Sequence, residues 1–131
     1  MGVFLVGQIV AVALGAAIGG VLRFVITNAF LQRFGPGFPF GTIFINVSGA
    51  FLIGVIAQLA ATRAFGISPL VRIFAAVGIL GGYTTFSTFA FEGVTLASDG
   101  AALLSLAYVL SSVVLGMVAA YAGGVFARII A

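Results

Sequence analysis

The 131-residue chain contains no cysteine and no histidine. Disulfide scaffolds, zinc sites and thiol or imidazole catalysis are therefore excluded. Lysine is also missing, so the pI near 10.2 comes from five arginines set against two acids. Five scattered arginines make no clustered basic face, and no nucleic-acid partner is expected. No Lys or Arg precedes the apolar stretch that begins at Val3, which also outruns a signal-peptide core. The opening MGVFLV carries Val6 where N-myristoylation needs Ser or Thr.

What remains is apolar: 63% of residues are hydrophobic, 5% are charged, and mean hydropathy is +1.40. A domain this small cannot bury that much apolar surface in itself, so lipid must be its solvent. Hydropathy divides the chain into spans of about 3–30, 41–61, 70–97 and 101–128, each near the roughly 20 residues that cross a bilayer. The fold class expected is an all-α, single integral membrane domain. The connections QRFGPGFPFG, TRAFGISP and SDG are short and rich in turn residues.

An even number of spans puts both termini on one side. With the termini inside, Arg63, Arg72 and Arg128 face Arg33 across the membrane, while Arg23 lies within the first span. That positive-inside bias is thin, and it suits either a fixed topology or insertion both ways round. Small residues at i, i+4 spacing mark close helix contacts, because packing drives association in lipid. Gly15 and Gly19, Ala50 and Gly54, and Gly78 and Gly82 have that spacing. The last span carries Tyr108, Ser112, Gly116, Ala120 and Gly124 at successive i+4 steps. Such faces serve either one four-helix bundle or an oligomer with its site between subunits.

Polar groups inside spans are candidates for function. Arg23 can snorkel, Asn46 in GTIFINVSG can clasp a neighbouring helix, and Glu92 can reach an aqueous vestibule. The stretch GGYTTFSTF, residues 81–89, stands apart. From Leu70 to Leu80 is about 16 Å of helix, roughly half the hydrocarbon thickness. Gly81-Gly82 therefore falls near the midplane, where loosened backbone is tolerated only against protein or a water-lined cavity. A break there frees carbonyls for a cation, with Thr84, Thr85, Ser87 and Thr88 as caps and donors for a second half-helix. Phe86 and Phe89 share a face of that half-helix. Phenyl edges are positive and can line an anion path without a full charge, although such a pair is ordinarily packing. No carboxylate lies in the first two spans, which disfavours proton-coupled export of cationic drugs. A non-transporting membrane subunit would have no use for the central hydroxyls. No nucleophile–base pair exists, so no enzymatic activity is expected. The residues themselves point to a small anion conductor.

GGYTTFSTF with Glu92, GGVLRF with Arg23, GTIFINVSG with Asn46, and YVLSS with Tyr108 and Ser112 resemble the Fluc (CrcB) family of fluoride channels over all four spans. The resemblance implies a passive fluoride channel in a prokaryotic inner membrane, formed by an antiparallel, dual-topology homodimer with two pores and a broken third helix. It assigns Phe86, Phe89 and Asn46 to the pore, with Ser87, Thr88, Tyr108, Ser112 and Thr42 along its polar side. It implies a structural sodium ion on the Gly81 and Thr84 carbonyls, with Arg23 and Glu92 toward the mouths. Tyr83 fills a variable position of the signature.

Overall fold

The computed structural model describes residues 2–62 and 66–131, with Val3 described by its backbone alone. Arg63, one of the charges that bear on orientation, lies outside the described residues. The elements are α1 (Gly2–Phe34), α2 (Phe40–Ala61), α3 (Pro69–Arg72), a π-helical stretch (Ile73–Ile79), α4 (Leu80–Tyr83), α5 (Phe86–Ser98) and α6 (Ala102–Ile130). Four helical segments are long and apolar enough to cross a membrane: Phe4–Phe34, Phe40–Ala61, Pro69–Ser98 and Ala102–Ile130. No strand occurs among the described residues.

The ends follow local chemistry. Gly35, at φ 75°, donates its N–H to the Leu31 carbonyl at 2.8 Å and closes α1. Ser68 caps α3 by accepting from the Val71 N–H at 3.3 Å, with Pro69 next in line. Gly100, at φ 85°, lets the Ala101 N–H return to the Leu96 carbonyl at 2.9 Å.

Packing forms two helix pairs. α1 runs along the π stretch and α4, while α2 runs along α6. The third span then changes partner, since α5 packs on α6 instead of α1. Glycine sets the first pairing. A Cβ on Gly15 would lie 2.8 Å from the Gly78 Cα, and one on Gly82 would lie 2.5 Å from the Ala16 carbonyl oxygen. Backbone meets backbone there, as small-residue faces allow.

Two expectations shift in position. Gly81 and Gly82 were expected to loosen the third span, but both are helical in α4. Gly82 is there for close approach to α1. The extended residues are Thr84 (φ −79°, ψ 160°) and Thr85 (φ −151°, ψ 120°). On α6, Tyr108 and Ser112 are buried as the stripe requires, but the buried positions further on are Gly123 and Ala127. A Cβ on Gly116 would meet nothing. Steps of four residues overshoot a 3.6-residue turn, so a long i+4 stripe rotates off the contact face.

The interior of one chain is thin. Ile45, Leu80 and Tyr83 form its central cluster, with Ile26 and Ile56 against it. Most large apolar side chains lie on the outside, as lipid or another protein surface requires.

Candidate functional site

The non-helical pair Thr84–Thr85 is where backbone groups come free, and side chains from other elements take them up. An α-helix would send the Thr85 N–H to the Gly81 carbonyl. Instead it donates to Asn46 Oδ1 at 2.9 Å, while Asn46 Nδ2 donates to the Thr85 carbonyl at 3.0 Å. One amide from α2 thus satisfies both polar groups of one residue. Thr85 Oγ1 accepts from the Thr88 N–H at 3.2 Å and caps α5; the same hydroxyl donates to Thr88 Oγ1 at 3.1 Å. With the Thr88 N–H engaged there, the Thr84 carbonyl has lost its helical donor. Arg23 Nη1, from α1, donates to it at 3.3 Å. The guanidinium thereby supplies a donor to an oxygen left without its helical one.

A second cluster lies on α5 one turn beyond the aromatic pair. Glu92 accepts from Thr42 Oγ1 at 3.0 Å and from the Tyr108 hydroxyl at 2.7 Å, one bond to each carboxylate oxygen. Three of the expected residues, from α2, α5 and α6, therefore meet at one carboxylate. Thr42 and Tyr108 are buried. Glu92 and Thr42 line a cavity of about 480 Å³ with Phe38, Pro39, Thr95 and Asp99, beside the loop between α1 and α2.

Aromatic rings connect the two clusters. Phe86 and Phe89 have centroids 5.8 Å apart, and Phe89 and Tyr108 5.3 Å apart. Phe38 meets the Tyr108 ring edge-on at 83° and 5.7 Å. Phe86 is 79% exposed at the start of α5, so within one chain its ring faces outward. Ser87 and Thr88 are exposed beside it. Ser112 is buried and donates to the Tyr108 carbonyl at 2.7 Å, leaving its oxygen lone pairs as its remaining function.

A cation at the break would have to use backbone oxygens, because no cluster of three or more His, Cys, Asp or Glu occurs among the described residues. The Gly81 carbonyl has lost its helical donor to Asn46, and the Thr84 carbonyl has lost its own to the Thr85 cap. Neutral peptide oxygens suit a hard cation. These neutral oxygens would suit sodium, but the Arg23 guanidinium already donates to the Thr84 oxygen at 3.3 Å and would compete with a cation for it.

Two participants were not singled out beforehand. Ser48 and Tyr83 join hydroxyls at 2.9 Å immediately before the break. Only the hydroxyl of Tyr83 beside a run of threonines hinted at it. Asn46 and Thr85 were each noted, but nothing in their spacing pairs them.

Comparison with known proteins shows which family the chain resembles. The family model described as CrcB-like protein, Camphor Resistance (CrcB), matches residues 10–124. A protein of Rhizobium meliloti named fluoride-specific ion channel FluC is 46% identical over 88% of this chain and 92% of its own length. Its namesake in a Roseiflexus species is 43% identical over 94% of this chain and 98% of its own. A third, from Nitrobacter winogradskyi, is 46% identical over 93% and 96%.

Proposed function

The chain belongs to the CrcB family, and on that premise we propose that it is a fluoride-selective channel built from two oppositely inserted copies in a prokaryotic inner membrane. The observation that carries this reading is the aromatic row from Phe86 through Phe89 to Tyr108, which joins the Thr84–Thr85 break to the Glu92 cluster. Fluoride is small, hard and tightly hydrated, so a path must replace its water with good donors. Thr88, Ser87 and the second N–H of Asn46 supply such donors near the break. Phenyl edges offer weak attraction between donor sites, and a conducting ion must be able to leave each of them.

At the far end, Thr42 and Tyr108 donate hydrogen bonds to the Glu92 carboxylate. An anion arriving there competes with Glu92 for those two donors, which selects a strong hydrogen-bond acceptor over a weak one. Ser112 continues the polar side of α6 one turn beyond Tyr108.

The broken third helix lies near the bilayer midplane in this reading, and two copies meet around it. The exposed Phe86 and the free Gly81 carbonyl are then covered by the other subunit. A sodium ion held by the Gly81 and Thr84 carbonyls would supply a fixed positive charge that eases an anion's passage. Hydrogen fluoride enters cells neutral and ionises inside. An inside-negative potential then drives the anion out, so conduction is passive.

Efflux from liposomes loaded with fluoride or chloride tests the function. Fluoride should leave only when protein is present, and chloride should stay; equal rates would contradict selectivity. The absence of cysteine makes the pairing equally testable. A single Ala131→Cys variant in sealed vesicles should react to about half its total with an impermeant thiol reagent added outside. Complete labelling, or none, would contradict inverted insertion.

A further inference from the structure

We propose that Tyr83 is a positioning residue whose hydroxyl, bonded to Ser48, holds the Thr84–Thr85 break in its open form. This rests on the channel reading, in which the break forms part of the ion's path. Tyr83 is the last helical residue before the break and is only 7% exposed, within the cluster that includes Ile45 and Leu80. A phenol in such surroundings needs a partner for its hydroxyl. It has one at 2.9 Å in Ser48 Oγ. Ser48 donates its own proton to the Ile45 carbonyl at 3.1 Å, so Tyr83 is the donor in the bond between them.

The direction of that bond matters because of what else α2 does at the same place. Asn46 holds both polar groups of the Thr85 backbone. A Cβ on Gly49 would lie 3.5 Å from the Tyr83 ring and would collide with the Thr84 methyl, so α2 seats closely on both residues. Across four residues, 46 to 49, α2 therefore grips 83, 84 and 85 in turn. From the other side, a Cβ on Gly19 would lie 2.7 Å from the Tyr83 backbone nitrogen, which leaves α1 no room to take up slack.

The Tyr83 bond is the point of this grip that involves neither a freed backbone group nor the aromatic row. Without it, α4 can turn relative to α2. The Thr85 N–H can then return to the Gly81 carbonyl, its ordinary helical acceptor. Closing the break in this way removes the Asn46 amide from its fixed orientation and withdraws the Gly81 oxygen from any cation.

Hydrogen exchange and fluoride efflux on Tyr83→Phe, Ser48→Ala and the double variant test this directly. Tyr83→Phe keeps the ring and loses only the bond. Amide exchange at residues 84–88 should rise about fivefold, because each passage between the Asn46-bound and Gly81-bound pairings leaves those amides momentarily unpaired, with the other spans unchanged. The maximal efflux rate should fall by a similar factor. Ser48→Ala should reproduce both effects, and the double variant should be no worse than either single one, because all three lack the same bond. Ser48→Ala also stands in if Tyr83→Phe fails to assemble. Unchanged exchange at 84–88, a rise spread evenly over all spans, or normal efflux in both single variants would overturn the proposal. A wild-type protein that passes no fluoride would instead overturn the channel reading, and the exchange result would still decide the clamp.

Discussion

Phe89→Ile is expected to cut fluoride efflux at least about tenfold, with folding and dimer formation intact, because the barrier loses an edge contact worth about 1.4 kcal/mol. Phe89 sits between two rings, 5.8 Å from Phe86 and 5.3 Å from Tyr108. Isoleucine keeps apolar bulk but carries no positive edge, so packing is largely conserved while the electrostatic character of the path is lost. Phe86→Ile should act in the same direction. Its ring is 79% exposed in one chain, so the substitution opens no cavity there. Melting temperature and dimer fraction separate the two roles. Normal efflux in both variants would mean that the rings only pack.

The second large effect is expected at Asn46. Asn46→Ala strips the Thr85 backbone of a donor and an acceptor together. Interhelical hydrogen bonds in membranes average only about 0.6 kcal/mol when a substitute partner exists. Here the substitute for the Thr85 N–H is the Gly81 carbonyl, and using it straightens the break. The loss should therefore fall on conduction more than on stability. Leaving a polar group unpaired instead costs about 1–3 kcal/mol, and a barrier raised by that much slows flux by roughly five- to 160-fold. Asn46→Asp separates pinning from passage. It keeps an acceptor for the Thr85 N–H, so that amide should stay protected in hydrogen exchange, yet its charge should repel the anion and stop efflux. Wild-type flux in Asn46→Ala would remove Asn46 from the site.

These expectations rest on contacts that the amino-acid order reveals unevenly. The four spans were legible because composition alone requires lipid on the outside. The pairing of Gly15 with Gly78 was half legible: each glycine was marked by its spacing, but spacing names no partner. Gly81-Gly82 was read as the weak point because glycine loosens a helix in isolation. In the folded chain, the close approach of Ala16 uses Gly82 for packing, and the helix opens two residues later. What decides that place is Asn46, 39 residues away, capturing the Thr85 N–H. A side chain that bonds to backbone leaves no complementary residue type to find. Arg23 is hard to read for the same reason, since its partner is the Thr84 carbonyl. Of the Thr42–Glu92–Tyr108 cluster, the sequence marks Glu92 and Tyr108 and a resemblance adds Thr42; only the fold brings the three to one carboxylate.

The most direct measurement is the reversal potential of the purified protein in a planar bilayer, with a tenfold fluoride gradient and equal chloride on both sides. A passive, fluoride-selective path predicts reversal near the fluoride equilibrium potential, about 59 mV from zero for one charge per tenfold ratio. Reversal near zero, where chloride or a nonselective leak would place it, would contradict the account.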